Sequence, residues 1–226
     1  MPTDTRSALL DLIATHSFKL GDFTLASGAK SDYYIDCRVT TLHAEGGRLS
    51  GLVLYEMIRE YIPNAYAIEA VGGLTMGADP LVSNIASASA WALADHREIL
   101  ELSLAMADDP DFPSEEDPGP EPTLIHGFLV RKSEKTHGTG RKIEGFLKPG
   151  AQVVIVDDVC TTGGSTITAI EAAREAGMIV AGVLCLVDRE QGGRARIEAA
   201  AEGAPFLAAF TANDVRKAHL ALPASR

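Results

Sequence analysis

The sequence predicts an α/β fold with a central, mostly parallel sheet flanked by helices. Two observations carry this expectation. From residue 66 onward, short apolar runs alternate with helical stretches, the pattern of strands joined by crossover helices. The most apolar run, Val153-Val154-Ile155-Val156, is continuous instead of alternating with polar residues, as in a strand covered on both faces. With 226 residues, 46% of them hydrophobic, the chain suffices for one compact unit spanning residues 1–226.

In order along the chain, the opening reads as a helix with Thr3 or Asp4 as N-cap and Leu9, Leu10 and Ile13 at helical spacing. A short β region follows, in which Phe18, Leu20, Phe23 and Leu25 stand among polar residues. The SGAKSD stretch then turns, and Tyr33-Tyr34-Ile35-Asp36 resumes an extended pattern. Glu45 to Ile62 reads as a helix stopped by Pro63. The expected core strands are Tyr66–Val71, Leu124–Val130, Gln152–Val156 and Ile179–Val187, with helices near Asp79–Ala92 and Ser165–Ala176. Gly177 follows the last of these as a closing glycine should. A strand over Phe206–Thr211 and a short helix from Asn213 to Leu220 end the pattern.

The formal charge of −11 opposes general nucleic-acid binding, which needs broad basic surfaces. Much of it sits in an acidic, proline-rich stretch at about residues 107–122, whose composition predicts a solvated insertion outside the core. The odd count of three cysteines, none in CxxC spacing, predicts neither a disulfide framework nor a zinc cluster. No two of the six histidines stand at i, i+4, so no helical zinc pair is expected. No stretch reaches about 18 uninterrupted apolar residues, so no membrane partner is expected and a cytoplasmic setting fits.

Two segments carry chemistry. In the first, the apolar run 153–156 delivers Asp157 and Asp158, and then Val159, Cys160, Thr161, Thr162, Gly163, Gly164 and Ser165 turn toward a helix. Backbone N–H groups in such a turn, together with a helix N-terminus, suit a phosphate dianion. No lysine enters the turn, which separates it from a nucleoside triphosphate loop. Paired carboxylates beside a phosphate cradle suit sugar hydroxyls, directly or through magnesium. The second segment, residues 131–142, packs Arg131, Lys132, Lys135, Arg141, Lys142 and His137 among glycines. A basic loop of this kind can close over a departing anion and exclude water.

The first segment resembles the phosphoribosyl diphosphate motif of type I phosphoribosyltransferases, and the RKxxKxHGTG run of the second is similar to the catalytic loop of orotate phosphoribosyltransferases. Phe23 to Asp36 is similar to that family's FTLxSGxxSxYYxD signature, and Val187-Asp188-Arg189 resembles its orotate-carboxylate strand end. The resemblance implies a type I phosphoribosyltransferase fold: a hood at about residues 1–40 over a core at about 41–226. It implies transfer of 5-phosphoribosyl to orotate in UMP synthesis, with magnesium held mainly by the substrate near Asp157 and Asp158. Residues 157–165 would hold ribose 5-phosphate, and Arg131, Lys132, Lys135 and His137 the diphosphate. Tyr34, Ile35, Thr161 and Arg189 would meet orotate, with Lys135, His137 and Asp158 catalytic. A homodimer sharing the catalytic loop is implied as well. The chain departs from the family in having Ala26 where a lysine is usual, and in carrying Val71-Gly72-Gly73-Leu74-Thr75-Met76-Gly77-Ala78-Asp79-Pro80 in place of a Tyr-Lys pair. The rival readings are a transferase for another base and a non-catalytic regulator that binds phosphoribosyl diphosphate.

Overall fold

The computed structural model describes residues 3–24, 28, 30–105, 119–132 and 142–222, with main chain alone at 3 and 4. The first helix, α1 (Thr3–Leu12), runs into a π turn at Ile13–Ser17. Strands β1 (Phe18–Thr24) and β2 (Lys30–Ile35) then pair antiparallel as a separate hairpin. A single helical turn, α2 (Arg38–Thr41), leads to α3 (Ala44–Tyr61), which ends ahead of Pro63. There follow β3 (Ile68–Leu74), α4 (Asp79–Ala105), β4 (His126–Val130) and β5 (Ile143–Gly145). The chain continues through β6 (Gln152–Cys160), α5 (Gly164–Glu175), β7 (Ile179–Asp188), α6 (Gly193–Ala201), β8 (Phe206–Thr211) and α7 (Ala212–Ala221).

The central sheet has the order β5-β4-β3-β6-β7-β8, and every neighbouring pair is parallel except β4 with β5. Alternation along β6 shows how one apolar run serves two cores. Val154 and Val156 pack with Leu54, Ile58, Leu81 and Ile85 on the face covered by α1, α3, α4 and α7. Val153 and Ile155 pack with Phe128, Ile170 and Ile197 on the face covered by α5 and α6. All four are essentially inaccessible to solvent, which is why the run needs no polar side.

The expected strands and helices are present, with shifted ends. β3 begins after a 3-10 turn at Ala65–Ala67 and extends through Gly72 and Gly73, whose missing side chains weaken the strand pattern. A Cβ on Gly72 would overlap the Phe128 ring, so the glycine is a packing requirement. β6 does not stop at Val156 but carries both aspartates and Cys160, because β7 pairs beside it as far as Cys160 with Asp188. α4 runs to Ala105, past Ala92, and its second half is largely exposed. Helix α6 and the short edge strand β5 were not expected. Ile197 is the one large apolar side chain buried on α6, so that helix shows no apolar stripe. The acidic stretch falls mostly outside the described residues, except that Glu121 pairs with Arg97 at 2.9 Å. None of the described helices is long and apolar enough to cross a membrane.

Glycine placement yields a stability test. A Cβ at Gly73 would overlap the Val156 carbonyl oxygen and the Ala78 side chain, whereas a Cβ at Gly164 meets nothing within 4 Å. Gly73→Ala should therefore cost about 3 kcal/mol in urea unfolding, and Gly164→Ala should stay within about 0.5 kcal/mol of the parent. Equal stability of the two variants would contradict the packing around β3.

Candidate active site

The chain order within the sheet reverses between β3 and β6: β4 lies outward of β3, while β7 and β8 lie outward of β6. Such a switch point opens a crevice at the carboxyl ends of the parallel strands. β3 is last paired with β6 at Gly72 and Ile155, so Asp157 and Asp158 project just where the strands part. A cavity of about 330 Å³ lies there. The β1–β2 hairpin contributes Tyr34 and Ile35 to its wall, the β3 turn Leu74 to Gly77, the β6 end Asp157, Asp158, Val159, Thr161 and Ser165, and the β7 end Arg189. Lys132 reaches the same wall, as do Asp36 and Arg38.

Asp157 is 5% exposed, and its carboxylate is used in full. Oδ2 accepts hydrogen bonds from Ser165 Oγ at 2.6 Å and Thr166 Oγ1 at 2.7 Å, while Oδ1 accepts from the Asp158 N–H at 3.0 Å. The start of α5 is thereby tied to the end of β6, and the turn between is held at both ends. Gly163 enters α5 in the left-handed region at φ 79°, beneath Ile197. The first N–H groups of α5 have no intrahelical acceptors and suit an anion.

Asp158 differs. Its Oδ1 accepts from the Val159 N–H at 2.9 Å, and the carboxylate lines the cavity against Gly77, where a Cβ would overlap Oδ1. Burial, reinforced by the neighbouring Asp157 charge, pushes its carboxyl up to about 7. Burial also raises Asp157, opposed by the hydroxyl and backbone hydrogen bonds that it accepts. The Thr75–Met76 peptide bond on the facing turn is cis.

Arg189 is 7% exposed, with its guanidinium 4.7 Å from the Tyr33 ring centroid. Nη2 donates to Ser31 Oγ at 3.3 Å, and the buried Nε has no hydrogen-bond partner among the described residues. None of the ion pairs among the described residues includes it. A buried cation without a counter-charge is costly, so this one is suited to an anionic ligand.

Some expected residues are not among those that line the cavity. Cys160 is fully buried; its N–H donates to Cys185 Sγ at 3.1 Å and its carbonyl accepts from Arg189, so it turns into the core and away from the phosphate turn. Arg131 pairs with Glu144 at 3.1 Å. Thr162 is exposed and its carbonyl accepts from Arg196 at 2.8 Å, while Gly164 stands open to solvent. Lys135 and His137 lie outside the described residues. Arg38, which sequence reading did not single out, lines the cavity from the first position of α2.

A switch-point crevice with a turn suited to an anion on one wall and paired carboxylates beside it fits a phosphoribosyltransferase, and the family model described as Phosphoribosyl transferase domain matches residues 127–204. An orotate phosphoribosyltransferase of Synechocystis sp. is 39% identical over 95% of this chain and 90% of its own. That of Aquifex aeolicus is also 39% identical, over 93% of this chain and 97% of its own. The crystal structure of the Mycobacterium tuberculosis orotate phosphoribosyltransferase in complex with 5-phospho-α-D-ribosyl 1-diphosphate superposes with a TM-score of 0.64 at 30% identity, covering 94% of this chain and 99% of that one. The chain belongs to the orotate phosphoribosyltransferase family, enzymes of the pentosyltransferase class.

The raised Asp158 carboxyl makes stability depend on pH. The folded-state value of about 7 lies above the ordinary 3.8, so the folded chain holds the proton more tightly and loses stability as pH climbs from about 4 to 7. Asp158→Asn should therefore be about 1–3 kcal/mol more stable than the parent at pH 8 and nearly equal to it at pH 4. Urea unfolding at both pH values reads this; a difference independent of pH would dismiss the buried charge as its source.

Proposed function

We propose that this chain transfers the 5-phosphoribosyl group of phosphoribosyl diphosphate to orotate, releasing pyrophosphate and forming orotidine 5′-monophosphate for pyrimidine synthesis. Arg189 carries the base assignment. Its buried guanidinium, unpaired at Nε beside the cavity, fits a planar carboxylate accepting from the free N–H edge. Orotate brings such a carboxylate; adenine, hypoxanthine and uracil do not. Tyr34 and Ile35 would lie against the base, and Thr161 would offer it a polar contact.

At the other end of the cavity, the turn from Thr161 to Ser165 would receive the 5-phosphate. Asp157 accepts from the Ser165 hydroxyl and Asp158 lines the cavity, and the two carboxylates would hold the ribose hydroxyls. Asp157 and Asp158 would stand beside a magnesium ion held mainly by the substrate, whose charge would offset that developing on the leaving group. As the bond to the anomeric carbon breaks, Lys132, Lys135 and His137 would stabilise the departing diphosphate, with Arg131 beside them. The basic loop would exclude water from the cationic sugar and reach the site of a second copy, making the enzyme a homodimer. In this reading residues to about 40 form a hood over the core, and the stretch 107–122 is an insertion.

The test follows orotate absorbance with magnesium and phosphoribosyl diphosphate, beside the three other bases. Orotate alone should be consumed. Arg189→Ala should raise the orotate KM about 10- to 100-fold and leave the KM for phosphoribosyl diphosphate unchanged. Lys135→Ala should lower kcat about 100-fold with orotate affinity kept. Wild-type turnover of uracil equal to that of orotate would sink the base assignment, and normal kcat in the lysine variant would sink the loop's role.

A further inference from the structure

Phosphoribosyl diphosphate carries phosphate at both ends, and three aspartates, Asp36, Asp157 and Asp158, already line the cavity, so its recognition depends on where the cations are. Among the described residues, three cationic side chains line the cavity: Arg189, Lys132 and Arg38. Arg189 is buried at the Tyr33 end and stacked on that ring. That leaves Lys132 and Arg38 for the remaining wall, which also includes Asp158 and the turn from Thr75 to Gly77.

Arg38 is held in one orientation. Its Nε donates to Asp36 Oδ1 at 2.8 Å, its Nη2 to Asp36 Oδ2 at 2.8 Å, and its own backbone N–H to Oδ1 at 3.2 Å. A guanidinium has five N–H donors. This two-point clamp uses two of them and leaves three, including both on Nη1. The side chain is 43% exposed and is among those lining the cavity. Its charge is felt at Asp158, where it opposes the rise caused by burial. A rigid fork with a free edge binds phosphate oxygens with less lost freedom than a lysine.

We propose that Arg38 binds the diphosphate moiety of phosphoribosyl diphosphate through its free N–H edge, with Asp36 as the positioning residue that fixes the guanidinium. The assignment rests on reading the chain as a transferase that uses phosphoribosyl diphosphate. The competing account makes Arg38 only a clamp between β2 and α2.

The experiment titrates phosphoribosyl diphosphate, and separately pyrophosphate, into the full-length protein with magnesium and no orotate, by calorimetry. It compares the parent with Arg38→Ala, Arg38→Lys and Asp36→Asn, and records melting temperature and both KM values. Arg38→Ala should weaken both diphosphates about 30-fold and change the orotate KM less than about twofold, at an unchanged melting temperature. Arg38→Lys should recover part of the affinity. Asp36→Asn, which keeps the arginine and loosens its clamp, should weaken binding severalfold. Diphosphate affinity in Arg38→Ala within twofold of the parent overturns the proposal. So does an equal loss for both substrates with a lowered melting temperature, which marks a structural clamp. Should Arg38→Ala fail to fold, the other two variants decide in the same way. Because the titration needs no orotate, absent orotate turnover with intact diphosphate binding registers as a failure of the base assignment and not of Arg38.

Discussion

The Asp157 carboxylate, buried where a parallel strand leaves the core, sets the position of everything around it. Burying a charge there costs several kcal/mol unless it is compensated, and three hydrogen bonds supply the compensation. Two of the donors are hydroxyls at the start of α5. The interaction that makes the carboxylate tolerable therefore also fixes the distance between the end of β6 and the helix N-terminus. The intervening turn is thereby held at both ends. Gly163 completes the geometry, since its left-handed backbone lies under Ile197 with no room for a side chain.

Around this anchor, the cavity divides its chemistry by element. The hairpin supplies rings and aliphatic surface, the β6 turn supplies N–H groups and hydroxyls, and the β7 end supplies a buried arginine. The β3 turn brings chiefly main chain close to Asp158, made possible by Gly77. Each element is short, and each is tied to a strand that the two cores hold rigid. Charged groups are thus distributed along the cavity and not gathered at one point.

Legibility in the sequence followed contiguity. The strand, acids and turn of β6 lie in one uninterrupted segment, so their local chemistry could be read directly. Arg189 was legible only through its neighbours Val187 and Asp188, because its burial without an ion pair among the described residues is a property of the folded chain. Arg38 was missed because the group that gives it meaning, Asp158, is distant in sequence and close only across the crevice. β5 has three residues and one partner, too little for a pattern, and α6 is alanine-rich with a single large buried side chain. The end of α4 was placed early because its exposed half has no core to impose periodicity. Cys160 was grouped with the turn by adjacency, whereas strand pairing rotates it into the core.

α4 starts beside the crevice and runs antiparallel to the strands, so Ala105 lies at the opposite end of the sheet. The chain returns there as well, where Arg59 takes the Thr123 carbonyl at 2.7 Å and Arg97 takes Glu121. Both points of attachment of the acidic segment thus sit a full strand length from the chemistry. A reporter, affinity handle or surface tether spliced between residues 105 and 119 would thus be joined to the enzyme at positions apart from the residues that line the crevice.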